Sequence, residues 1–92
     1  SSVATGNAAR TASSDEQSAE MDEDESRLAS ILEGLEGVGR VETMITREDD
    51  TIVGILVIAE GAEDIAVRLR LLSAVTTAMG VDKQIVNVYT MK

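Results

Sequence analysis

The stretch IVGILVIAEGAED, Ile52–Asp64, decides the fold. Its first eight residues, Ile52 to Ala59, carry no polar side chain, and an acidic, glycine-containing break follows at once. Three environments accept such a run: a bilayer, a protein core or a partner. Length removes the first, because a spanning helix needs roughly 20 consecutive apolar residues. The β-branched residues Ile52, Val53, Ile55, Val57 and Ile58 favour a strand over a helix. Apolar side chains on both faces of that strand indicate a central or two-sided position in a sheet. Glu60-Gly61 ends it, and Asp64 is placed to cap a following helix.

Upstream, RVETMITR (Arg40–Arg47) alternates, with Val41, Thr43 and Ile45 on one face and Glu42, Met44 and Thr46 on the other. This is the pattern of a half-buried strand. Glu48-Asp49-Asp50 reads as the turn of a hairpin joining it to the apolar strand. Further upstream, Leu28, Ile31, Leu32 and Leu35 recur at helical spacing. The acids Asp22–Glu25 suit the N-terminus of that helix, Gly37 is its expected C-terminal cap, and Gly34 is a mild cost inside it. Downstream, Ile65 to Met79 reads as a second helix between Asp64 and Gly80, and KQIVNVYTMK (Lys83–Lys92) as a third strand.

The order is helix–strand–strand–helix–strand. A crossover helix between the second and third strands makes them parallel. The expected class is α+β, a two-layer α/β sandwich with a three-stranded sheet and two helices on one face. Residues 1–24, rich in Ser, Ala, Thr and acids, cannot bury enough apolar area to offset chain entropy and are expected to be a disordered acidic linker or tether. The folded domain is expected over residues 25–92.

The second helix has surplus apolar surface. Val67, Leu71, Ala74, Val75 and Ala78 form one stripe, which a single sheet can cover. Ile65, Leu69, Leu72 and Met79 form another side. That side either packs on the first helix or serves as a subunit interface, rimmed by Arg68 and Arg70. A domain of this size is marginal alone, which makes association attractive.

Composition narrows the function further. There is no Cys and no His, which removes disulfides, thiolate and imidazole metal ligands, and the usual nucleophile–base pairs. No cofactor, metal, small-molecule substrate or enzymatic activity is expected. A net charge of −9 disfavours nucleic acid, where phosphate neutralisation dominates affinity. GLEG (Gly34–Gly37) matches the GXXG of RNA-binding KH domains, but their basic and aromatic platform is missing. LEGVGRVE (35–42) also looks like the helix-to-strand return of heavy-metal-associated domains, but their paired cysteines are missing. The acids of Glu48–Asp50 with Asp82 lack the calcium-loop pattern and read as a solvated turn.

Taken together, ESRLASILEGLEGVGRVETMIT (25–46), IVGILVIAEGAED (52–64), AVRLRLLSAVTTAMGV (66–81) and IVNVYTMK (85–92) resemble the C-terminal domain family of stage III sporulation protein AG. The resemblance implies a ring-building-motif fold, related to inner-membrane ring proteins of type III secretion systems and flagella. It implies a domain anchored in the mother-cell membrane by an upstream transmembrane helix and projecting into the space between mother cell and forespore. There it would form a homo-oligomeric ring with other sporulation channel proteins as partners. One departure is plain: relatives carry a long insertion between the first two strands, whereas only REDD (Arg47–Asp50) joins them here. Ring size and channel width are therefore not carried over. The alternative reading is a small regulatory or ligand-binding α/β module without catalysis, for which Asn87 and the Gly61 break are the available polar features. If the second face of the apolar strand is left bare by the helices, a neighbouring subunit is the natural cover.

Overall fold

The computed structural model describes residues 21–92; of the linker expected over residues 1–24, residues 1–20 lie outside the described residues. Helix α1 spans Glu23–Glu33, strand β1 Val41–Glu48, strand β2 Thr51–Ala59, helix α2 Ile65–Met79 and strand β3 Val86–Thr90, with one 3-10 turn over Lys83–Ile85. The sheet order is β1-β2-β3, with β1 antiparallel and β3 parallel to β2. The apolar run Ile52–Ala59 is thus the central strand. Both helices cover one face, where Leu28 and Leu32 of α1 and Val67, Leu71 and Val75 of α2 meet the inward side chains of the sheet in a single aliphatic core. Each fully buried Leu or Val there contributes about 1.5–3 kcal/mol.

Helix α1 begins two residues before the expected domain boundary. Asp22 is its N-cap, with the Asp22 carboxylate accepting from the Glu25 N–H and the Glu25 carboxylate accepting from the Asp22 N–H, both at 2.9 Å. This capping box satisfies two orphan donors reciprocally and starts the helix at Glu23. The helix also stops earlier than expected, with Gly34 as its C-cap rather than Gly37. Gly37 serves the following loop instead. It has φ +87°, and a Cβ there would lie 2.8 Å from Val67 Cγ2, so the absence of a side chain lets the loop pass tightly over α2.

The β1–β2 hairpin closes on a two-residue turn, Asp49-Asp50, with φ of 49° and 70°. Positive φ at both central residues is the signature of the turn whose twist matches the flanking strands. The pairing slips between Thr46 and Arg47: Thr46 faces Gly54, whereas Arg47 faces Ile52. Val53 is the extra residue of this bulge and is left exposed, while Ile52 packs against the core. Arg47 reaches Asp24 of α1 at 3.1 Å.

Asp64 caps α2 by accepting from the Ala66 N–H at 2.9 Å, and Gly80 ends it in the left-handed conformation, donating to Thr76 O at 2.9 Å. The third strand is shorter than expected. Asp82 accepts from the Gln84 N–H at 2.8 Å and folds Lys83–Ile85 into a turn before the chain becomes extended at Val86.

Candidate self-association surface

The four residues expected as an interface on α2 are divided by the structure. Ile65 and Leu69 stand 66% and 59% exposed, whereas Leu72 and Met79 are half-buried and pack against the domain's own core. Met79 lies beside Leu28 and Ile31 of α1, lining a groove between the two helices. Part of the second side of α2 thus packs on the domain itself, and Ile65 and Leu69 are left exposed. Arg68 and Arg70 flank Leu69 in sequence. Arg68 Nε donates to Ala62 O at 3.0 Å and Arg70 Nη1 to Glu36 O at 3.2 Å, which fixes both guanidinium stems over neighbouring loops. Among the described residues the one ion pair is Arg47–Asp24, so neither Arg68 nor Arg70 is neutralised by a carboxylate of its own domain.

The larger apolar surface is on the sheet. Val41, Thr43 and Ile45 of β1 point at the helices, so Glu42, Met44 and Thr46 point away from them. In register with these, Leu56 and Ile58 of β2 occupy the same outer face: Met44 pairs with Leu56, and Ile58 lies between Glu42 and Tyr89. Neither helix covers this face. Met44 is 51% and Tyr89 57% exposed, so the single aromatic residue of the chain is placed on the surface. Asn87 pairs with Leu56 on this face and is exposed. A groove of about 140 Å³ runs over Met44, Leu56 and Ile58 to the margin of β1, where Met21, Glu25 and Glu42 form its rim.

The margin of β1 is covered over Val41–Ile45 by α1 and by Met21 just before it. Three outward N–H groups of β1 find side-chain acceptors: Val41 N–H donates to Glu33 Oε2 at 2.9 Å, Thr43 N–H to Met21 Sδ at 3.4 Å, and Ile45 N–H to Glu25 Oε2 at 2.6 Å. The Thr43 hydroxyl adds a bond to Glu25 O at 2.9 Å. An edge strand is normally a template for another chain, and covering it is the usual protection. At the opposite margin no further strand pairs with β3 among the described residues. Met91 N–H donates to Ala59 O at 2.9 Å, so alternate residues of β3 face β2, and Val88 and Thr90 turn their backbone groups outward.

Among the described residues no three His, Cys, Asp or Glu side chains converge as a metal site requires. Glu63 is held below the usual carboxylate value by a hydrogen bond from its own backbone and then by the Thr90 hydroxyl at 2.9 Å. It lies on the surface, where it ties the β2–α2 loop to the end of β3. The groove on the sheet and the one between the helices, about 140 and 240 Å³, fall below the roughly 300 Å³ at which small-molecule pockets begin. They are sized for protruding side chains.

The sequence signal for the outer sheet face was the missing alternation in Ile52–Ala59: a strand that is apolar on both parities and has helices on one side leaves the other side bare. Tyr89 and Met44 gave no signal of their own, because each sits in a strand that alternates normally.

Among the described residues no helix is long and apolar enough to cross a membrane. No curated protein and no solved structure matches the chain. The sequence profile of the SpoIIIAG C-terminal domain matches residues 47–92, half of the chain, from the hairpin turn through β2, α2 and β3. With α1 and β1 completing the order of elements that the resemblance implied, the chain belongs to the SpoIIIAG C-terminal domain family, a family of sporulation proteins.

Proposed function

We propose that this chain is a structural, self-associating domain of a sporulation channel. It acts as a ring component in the space between mother cell and forespore, held to the mother-cell membrane by an upstream anchor. The observation that carries this reading is the pairing of family membership with apolar surface the domain does not cover itself: Ile65 and Leu69 on α2, and Met44, Leu56, Ile58 and Tyr89 on the sheet. Exposed apolar side chains gathered on one face suit an interaction surface. Membership of a family of sporulation proteins supports a structural role over catalysis. The volumes of the two grooves favour it over a ligand-binding module.

Tethering raises effective concentration, so association belongs to the membrane-displayed state. The experiment is to display the 92-residue chain through an N-terminal histidine tag on nickel-chelating vesicles and measure clustering by fluorescence energy transfer. Clustering that rises with surface density and is lost in Leu69→Asp supports the reading. A chain that stays monomeric at every density, with Leu69→Asp indistinguishable from it, refutes it.

A further inference from the structure

We propose that β3 is a pairing edge for a second copy of this chain: two β3 strands meet antiparallel about Val88 and join their sheets into one. This contact stands apart from the clustering described above, because it ends at two copies and uses no residue of α2. The two margins of the sheet are protected differently. A covering element, a bulge or charged side chains normally blunt an edge strand. At β1 all three are present: α1 and Met21 cover Val41–Ile45, the register slips after Thr46, and Glu42, Arg47 and Glu48 lie on the strand. Strand β3, Val86–Thr90, carries no charge, keeps an unbroken register with β2 and has no cover among the described residues.

Backbone geometry selects the alignment. The Val86 N–H is already taken by Lys83 O. The Val86 C=O, both backbone groups of Val88 and the Thr90 N–H face away from β2. Antiparallel strands that overlap over the whole of β3 set Val88 against Val88 and Val86 against Thr90. The two Val88 residues then exchange a pair of bonds, and each Thr90 N–H meets a Val86 carbonyl. The one donor this alignment does not need is the one the 3-10 turn has used. On the outer face Tyr89, 57% exposed, comes to lie opposite the other copy's Asn87 and gains a cross-strand neighbour.

Charge favours a second copy as the occupant. The chain carries a net charge of −9, so copies repel over much of their surface. Around β3, Lys83 and Lys92 balance Asp82 and Glu63, which the Thr90 hydroxyl holds at the end of the strand. Antiparallel pairing brings the Asp82-Lys83 end of one copy to the Glu63 and Lys92 end of the other. Two acidic chains meet at this margin without net repulsion.

The chain has no cysteine, so disulfide trapping reads the alignment directly. Asn87→Cys and Tyr89→Cys chains are displayed together on vesicles and mildly oxidised, with Asp49→Cys at the hairpin turn as a control for random collision. Opposite residues of a non-hydrogen-bonded pair lie about 4.5 Å apart, whereas position 87 or 89 is displaced from its own counterpart by about 7–8 Å. Mixed disulfides should exceed the control and exceed the statistical share of mixed pairs. Homodimers of either variant predominating would overturn the pairing. No enrichment over the control would overturn it too, and would leave the margin to an extended segment of a different protein. Neither result bears on Leu69-dependent clustering, which is measured separately. Val88→Pro removes an outward N–H without touching the bonds to β2, and should abolish the mixed disulfide while that clustering remains. Lys83→Glu with Lys92→Glu, at two exposed positions, makes the margin acidic and should reduce trapping about fivefold. Thermal unfolding identifies the variants that fold, and trapping undiminished in those would overturn the proposal.

Discussion

The Glu25 carboxylate holds the backbone N–H of Ile45 at 2.6 Å through Oε2, and the N–H of Asp22 at 2.9 Å through Oε1. One buried side chain therefore caps the first helix and closes the edge strand of the sheet. Neither function is separable from the other, because both oxygens belong to the same planar group. This joins α1 to β1 and makes the helix start part of the sheet margin.

Glu25→Ala should cost about 2–4 kcal/mol, from the lost cap and the unsatisfied buried N–H of Ile45. Glu25→Gln should cost less, because its amide oxygen still accepts one of the two bonds. Urea denaturation of both variants checks the order, and equal losses would show that charge rather than bond geometry dominates.

Two glycines should respond very differently to alanine. Gly61 has φ +99°, and a Cβ there would collide with Gly37 O, a backbone atom that cannot step aside. Gly61→Ala should destabilise by more than about 3 kcal/mol, from strain and collision together. Gly80 has φ +65° with open space around it, so Gly80→Ala should cost only about 1 kcal/mol. Thermal unfolding of the two variants gives the comparison.

The hairpin turn invites the opposite change. Asp50 holds φ 70°, a region glycine enters without steric cost. Asp50→Gly should stabilise by about 0.5–1 kcal/mol, and it turns the loop into the favoured Asp-Gly pair. A loss of stability in chemical denaturation would mean that Asp50 makes a compensating interaction.

Acidification should act on the Glu63–Thr90 contact. The folded pKa of Glu63 is lowered, so its contribution is present above the unfolded carboxylate pKa and is lost as pH falls through the folded value. In Thr90→Val, Glu63 should titrate at higher pH than in the parent chain, as read by carboxyl carbon chemical shifts. An unchanged titration would assign the whole shift to the backbone bonds.

Neighbouring leucines on α2 should separate folding from association. Leu71 is fully buried, and Leu71→Ala should cost about 2–5 kcal/mol. Leu69→Asp, at an exposed position, should leave unfolding within about 0.5 kcal/mol of the parent and still abolish clustering on vesicles.

The sequence by itself determined the order of elements and most of their faces. Alternation grouped Val41, Thr43 and Ile45 on the face that meets the helices, and Asp64 and Gly80 bounded α2; of the helically spaced Leu28, Ile31, Leu32 and Leu35, Leu28 and Leu32 enter the core, Leu35 packs against it and Ile31 is exposed. Periodicity and caps are local, so a single chain read in order reveals them. The tertiary structure decided what depends on distant parts of the chain meeting. It moved the first helix stop to Gly34, because Gly37 is needed where the loop crosses Val67. Two of the four surplus apolar residues of α2 were turned toward the core and two toward solvent, since the direction of a wheel position depends on where α1 lies. The tertiary structure also joined Met44, Leu56, Ile58 and Tyr89 into one uncovered surface, which exists only because three strands bring residues from Met44 to Tyr89 into register. Local patterns specify elements, but a surface shared by several elements is a property of their packing.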